Sequence, residues 1–123
     1  MGLDLTLLPL KGPRQMTDAL VFCYDRLVFD RDYQIFSQLT DMGEGNKPTI
    51  KVNSIPPQMW VETCEGEGIT RRRDDKYGTE LTFVYAVRLK KLQVRDDASS
   101  KNKAIKAFID ALPDDVPFIL LWH

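Results

Sequence analysis

Two stretches decide how this chain folds: Thr79-Glu80-Leu81-Thr82-Phe83-Val84-Tyr85-Ala86 and Pro117-Phe118-Ile119-Leu120-Leu121-Trp122-His123. In the first, Leu81, Phe83 and Tyr85 alternate with Thr82, Val84 and Ala86, the two-residue period of a strand. In the second, Phe118 to Trp122 are all apolar, which predicts a strand covered on both faces. Between them, Ile105, Phe108, Ile109 and Leu112 fall at i, i+3, i+4 and i+7. That spacing makes residues 100–112 an amphipathic helix, which Pro113 stops. Together they predict a strand–helix–strand unit in one sheet, and a single crossover helix makes its two strands parallel.

Outward from this unit, Leu3, Leu5 and Leu7 predict a strand over residues 2–8, ended by Pro9. A polar connection over 11–18 leads to a second strand over 19–30, interrupted at Asp25-Arg26, which can pair antiparallel with the first. Asp30 or Asp32 caps a helix whose face is Ile35, Phe36, Leu39 and Met42, and Gly43 ends it. Residues 43–78 are the least regular. Thr49–Val52 and Gln58–Cys64 read as short strands on either side of Pro56-Pro57, and 65–76 reads as a mobile, charged loop. Past Ala86 the alternation breaks, and 87–93 reads as a short helix. The expected fold is a single α+β domain of 123 residues: a mixed sheet of four to five strands, two main helices mostly on one face, and a closing β-α-β unit.

Composition narrows the function classes. A net charge of −1 argues against a chain that binds polyanions over its whole surface. No run of about 18 apolar residues predicts a membrane helix, and the N-terminus, with Asp4 in its apolar run, is not built as an export signal. The expected setting is the cytoplasm, with Cys23 and Cys64 as free thiols. One histidine and two unpaired cysteines are poor material for a zinc site, so neither metal nor cofactor is expected. A nucleophile–histidine pair would have to use His123. Gly66-Glu67-Gly68 lacks the third glycine of a dinucleotide fingerprint.

Two sets of side chains stand out as binding candidates. Trp60 lies near Arg71, Arg72 and Arg73, whose charge is offset by Glu65, Glu67, Asp74 and Asp75. Residues 88–106 carry Arg88, Lys90, Lys91, Arg95, Lys101, Lys103 and Lys106 against only Asp96 and Asp97. If the helices gather these cations they form a basic patch able to hold phosphates or an acidic protein; spread around an outer helix face they are ordinary solvated charge.

Four stretches also occur in a familiar combination: Gly2-Leu3-Asp4-Leu5, Asp30-Arg31-Asp32-Tyr33, Tyr77-Gly78-Thr79-Glu80-Leu81-Thr82-Phe83-Val84, and Leu112-Pro113-Asp114-Asp115 through Leu121-Trp122-His123. The combination resembles a group of small proteins of unknown function from bacteriophages, prophages and bacterial genomes, over most of the chain except 43–76. The resemblance carries no activity and no catalytic residue; it implies a phage-linked accessory protein in a bacterial cytoplasm. The leading expectation is a non-enzymatic protein that binds a host or phage macromolecule, using Trp60 with Arg71–Arg73 or the basic helices. The alternatives are nucleic-acid association through Arg88, Lys90, Lys91, Lys101, Lys103 and Lys106, and a small enzyme with a carboxylate-based site near Asp30 and Asp32. The partner is a protein or a nucleic acid, not a membrane, and a homo-oligomer stays compatible with the sequence.

Overall fold

The computed structural model describes residues 2–10, 20–22, 26–43, 45, 47–57, 59–65 and 68–123. The elements are β1 (Leu5–Pro9), β2 (Leu20–Phe22), β3 (Leu27–Val28), α1 (Tyr33–Phe36), β4 (Asn53–Ser54), β5 (Trp60–Glu65), β6 (Gly68–Arg72), β7 (Thr82–Tyr85), α2 (Ala86–Leu89), α3 (Ser100–Ala111) and β8 (Pro117–Trp122). The architecture is α+β. Five strands form the main sheet in the order β3-β1-β8-β7-β4, and β2-β5-β6 form a second.

The closing stretch is the central strand, as its unbroken apolarity requires. β8 pairs with β1 on one side and β7 on the other, and Pro117 to Leu121 are buried. Its side chains divide by parity. Phe118 and Leu120 join Leu5, Leu7, Val84, Ala86, Ile35, Phe36, Ile105 and Ile109 in the core beneath α1 and α3. Ile119 and Leu121 face the other way, with Leu8, Leu81, Phe83, Ile55, Met59 and Val61. The helices therefore cover one face of the main sheet, and the 55–61 segment, running into the second sheet, covers the other. Two-sided burial explains why β8 tolerates no polar side chain over those positions.

One expectation about this unit is overturned. β7 and β8 are adjacent but antiparallel, with Tyr85 opposite Pro117. A lone helix would deliver the chain to the far end of the sheet. Here α2, an irregular stretch over 92–95 and α3 follow one another, and this longer connection returns to the end it left. All pairings in the main sheet are antiparallel; the parallel pair, β2 with β5, lies in the second sheet.

The expected strand over 19–30 is two strands in different sheets. β3 pairs with β1, whereas β2 pairs with β5, so the chain changes sheet between Phe22 and Leu27; of the expected interruption, Asp25 lies outside the described residues. The first helix is a single turn. Asp32 caps it, its carboxylate accepting from the Gln34 and Ile35 amides, and Leu39 follows in a turn and Met42 in irregular chain rather than in a continued helix. Gly43 has a positive φ of +85° but lies seven residues past Phe36, so it does not end this helix as expected; Ser37 is its C-cap. The short strand expected at Thr49–Val52 lies further on, at Asn53–Ser54. Residues 68–72, expected as part of a loop, form β6, hairpin-paired to β5.

The second long helix matches its expected span. Ser99 caps it, accepting from the Asn102 amide. Its buried face is Asn102, Ile105 and Ile109. Phe108, expected in that face, is 41% exposed; it lies a full 100° turn from Ile109, beyond the strip that touches the sheet. Asn102 takes the remaining core position, donating from Nδ2 to the Asp30 carbonyl at 3.0 Å and accepting the Asp30 amide at 2.8 Å. Among the described residues no helix is long and apolar enough to cross a membrane.

Candidate functional site

The four stretches of the resemblance meet at one place, the end of the main sheet where β1 begins and β8 finishes. Asp4 and His123 exchange both backbone hydrogen bonds, at 2.7 and 2.9 Å. Asp4 receives Arg31 in a two-point ion pair, Nε at 3.1 Å and Nη2 at 2.8 Å. These charge-assisted bonds, ahead of every other influence, lower the Asp4 carboxyl below its ordinary range. Tyr77 donates from its hydroxyl to the Gly2 carbonyl at 3.1 Å, and Tyr33 accepts the Leu3 amide at 3.5 Å. A Cβ on Gly2 would lie 2.1 Å from the Arg31 guanidinium carbon, so a side chain there would push the flexible Arg31 head aside.

His123 Nε2 and Thr6 Oγ1 are 2.8 Å apart, the spacing of a base and a nucleophile. Thr6 is 1% exposed, so its hydroxyl meets no substrate. The pair instead fastens the end of β8 to β1.

Beside this cluster opens a cleft of about 280 Å³ lined by Leu3, Leu39, Thr40, Asp41, Val52, Asp75, Tyr77, Thr79, Glu80, Thr82 and Trp122. Its walls follow from the local sequence. Asp75-Lys76-Tyr77-Gly78 is a turn with Asp first and Gly last. Gly78 closes it onto the Asp75 carbonyl at 3.1 Å with φ +80°, and Asp75 Oδ1 accepts the Tyr77 and Thr79 amides. That turn presents Tyr77 and Thr79 on one wall. Trp122, held edge-on by Phe36 at 5.6 Å, forms another. Asp41 binds the Gly43 amide through Oδ1, and Glu80 takes Arg73 through Oε2. Three carboxylates, two aromatic rings, three threonines and three aliphatic side chains thus line the cleft, and among the described residues no lysine or arginine does. The carboxylates are spread around the rim: among the described residues no three His, Cys, Asp or Glu side chains gather as metal ligands would.

The candidates read from the sequence lie elsewhere, each with its own neighbours. Arg73 is a structural residue. Its side chain is 16% exposed and donates to the carbonyls of Pro56 and Met59 and to Glu80. Arg71 pairs at 3.0 Å with Glu62, which is nearly buried. Arg72 belongs to β6 and carries an interaction of its own. Trp60 is 47% exposed on β5. Of the basic set, Lys90 pairs with Asp114 and Lys106 with Asp110, both at 2.7 Å, and Arg88 donates to the Lys51 carbonyl at 3.3 Å. Lys91 is exposed in the turn after α2. Lys101 and Lys103 are exposed on α3 but, being two residues apart, point about 160° away from each other. They flank the helix rather than share a face. Asp32 is committed to its cap, and Asp30 is held through its backbone by Asn102. Cys23 lies outside the described residues.

Asp41, Asp75, Tyr77, Glu80 and Trp122 were not legible as a group, because they come from three distant segments. The one available signal was the Asp75–Gly78 turn. No family model, curated protein or solved structure matches this chain.

Proposed function

We propose that this chain is a non-enzymatic, phage-linked accessory protein that binds another protein, and that it takes a positively charged side chain or segment of that partner in the cleft beside Asp4 and Tyr77. The observation that carries this reading is the lining: carboxylates of Asp41, Asp75 and Glu80 around the rings of Tyr77 and Trp122. Carboxylates attract an ammonium or guanidinium group, and aromatic faces stabilise it once it is partly desolvated. The phage-linked setting rests on the resemblance alone.

Nucleic-acid association, the alternative, has less support. It needs the cations of residues 88–106 on one surface, and α3 sends Lys101 and Lys103 to opposite sides while Lys90 and Lys106 are paired. A carboxylate-based enzyme near Asp30 and Asp32 has less again, since the Asp32 carboxylate is the α1 cap.

Capture from a bacterial lysate, with and without nuclease, tests the reading. The expected result is a protein partner that survives nuclease and is lost by the Asp41→Asn, Glu80→Gln double variant. Retention that nuclease abolishes, or that the double variant leaves intact, would overturn it.

A further inference from the structure

At about 280 Å³ the cleft beside Tyr77 is at the small end of ligand pockets, so it accepts one side chain rather than a folded segment. Each of its carboxylates is held by one oxygen. Asp41 Oδ1 accepts the Gly43 amide at 2.7 Å. Asp75 Oδ1 accepts the Tyr77 and Thr79 amides at 2.8 and 3.0 Å, and Glu80 Oε2 accepts from Arg73 at 3.0 Å. The other oxygen of each has no hydrogen-bond partner among the described residues, so three fixed carboxylates still offer acceptors to a guest. They do not converge: among the described residues no three acids come close enough to share a metal ion.

That dispersal separates the two cations a protein partner can offer. A lysine ammonium is a compact, strongly hydrated charge whose donors all leave one nitrogen, and it is best served by acceptors gathered around a point. A guanidinium spreads its donors over a plane, sheds water more readily and lays that plane on an aromatic face. Tyr77 supplies such a face. It is 42% exposed yet fixed at both ends, its amide bound by Asp75 and its hydroxyl donating to the Gly2 carbonyl at 3.1 Å. A ring held in this way loses little freedom when a guest stacks on it.

We infer that the cleft is selective for arginine. It takes a single arginine side chain of the partner, with the guanidinium stacked on Tyr77 and donating to the carboxylates around it. This deepens the cation-binding reading proposed above and rests on it. The discrimination lies in shape rather than charge, so salt weakens both cations and leaves their ratio nearly unchanged.

Amide resonances followed during titration with two capped, glycine-rich peptides, identical except for one arginine or one lysine, test this. Each peptide is taken to about 10 mM, where millimolar affinity is visible. The expected result is shifts at Tyr77, Thr79 and Glu80 with both, and about fivefold tighter binding of the arginine peptide. Tyr77→Phe keeps that preference and Tyr77→Leu removes it, each variant retaining native circular dichroism. Equal affinities, or an arginine preference that survives Tyr77→Leu, would overturn the inference and leave the cleft a general cation site. Binding of neither peptide would overturn the cation-binding reading as well.

Discussion

His123 and Thr6, 117 residues apart, share a hydrogen bond of 2.8 Å across the β8–β1 ladder. It fastens the finishing end of the central strand to the first strand. A net contribution of about 1 kcal/mol is expected of such a bond. In a double-mutant cycle of Thr6→Val and His123→Ala, urea melts should show a coupling of about 0.5–1.5 kcal/mol. Strict additivity would mean that the two side chains do not cooperate.

Asp4 supplies a pH dependence. Arg31 holds its carboxyl below the ordinary value, so the folded state binds that proton less readily than the unfolded chain. The resulting stability is present above the usual carboxylate pKa, near 3.9, and is lost as pH falls through the lower folded value. Arg31→Ala should therefore lower stability modestly at neutral pH, with the difference from the parent chain vanishing as pH falls below about 4, which flattens the acid limb. Gly2→Ala should reproduce that flattening, because its Cβ takes the space of the guanidinium. Combining the two should add nothing further.

Asn102 joins α3 to the segment entering α1. Asn102→Leu removes both hydrogen bonds to Asp30 and leaves a partly buried amide and carbonyl without them. A loss of about 2–3 kcal/mol is expected by urea denaturation. Asn102→Asp keeps the acceptor and should lose less.

The arginines of 71–73 should separate by role. Arg73→Lys removes the planar fork that reaches Pro56, Met59 and Glu80 together, and about 2 kcal/mol of stability with it. Arg71→Lys preserves a cation for Glu62 and should be nearly neutral. Equal effects on thermal melting would contradict the assignment of Arg73 as the structural one.

Where side-chain periodicity was strong, the sequence was legible. Phe118–Leu121 announced a two-sided strand, and Ile105 and Ile109 a helix over it, because both patterns report burial directly. Strand direction was not legible, since it depends on whether the connection ends where it began, and α2 with the irregular 92–95 stretch altered that. Arg71–Arg73 looked like a loop because charge dominates the local composition. Arg71 and Arg73 owe their places instead to Glu62 and to the Pro56 and Met59 carbonyls, partners fixed only by the tertiary fold. The cleft draws on residues 3, 39–41, 52, 75–82 and 122, a grouping that no local pattern contains.

The cleft is tested most directly by following backbone amide resonances while a lysine-rich peptide is added. The account predicts shifts confined to Asp41, Tyr77, Thr79, Glu80 and Trp122, weakening as salt rises and absent in the Asp41→Asn, Glu80→Gln variant. Shifts centred on Lys91, Lys101 and Lys103 with an added oligonucleotide, and none in the cleft with the peptide, would contradict it.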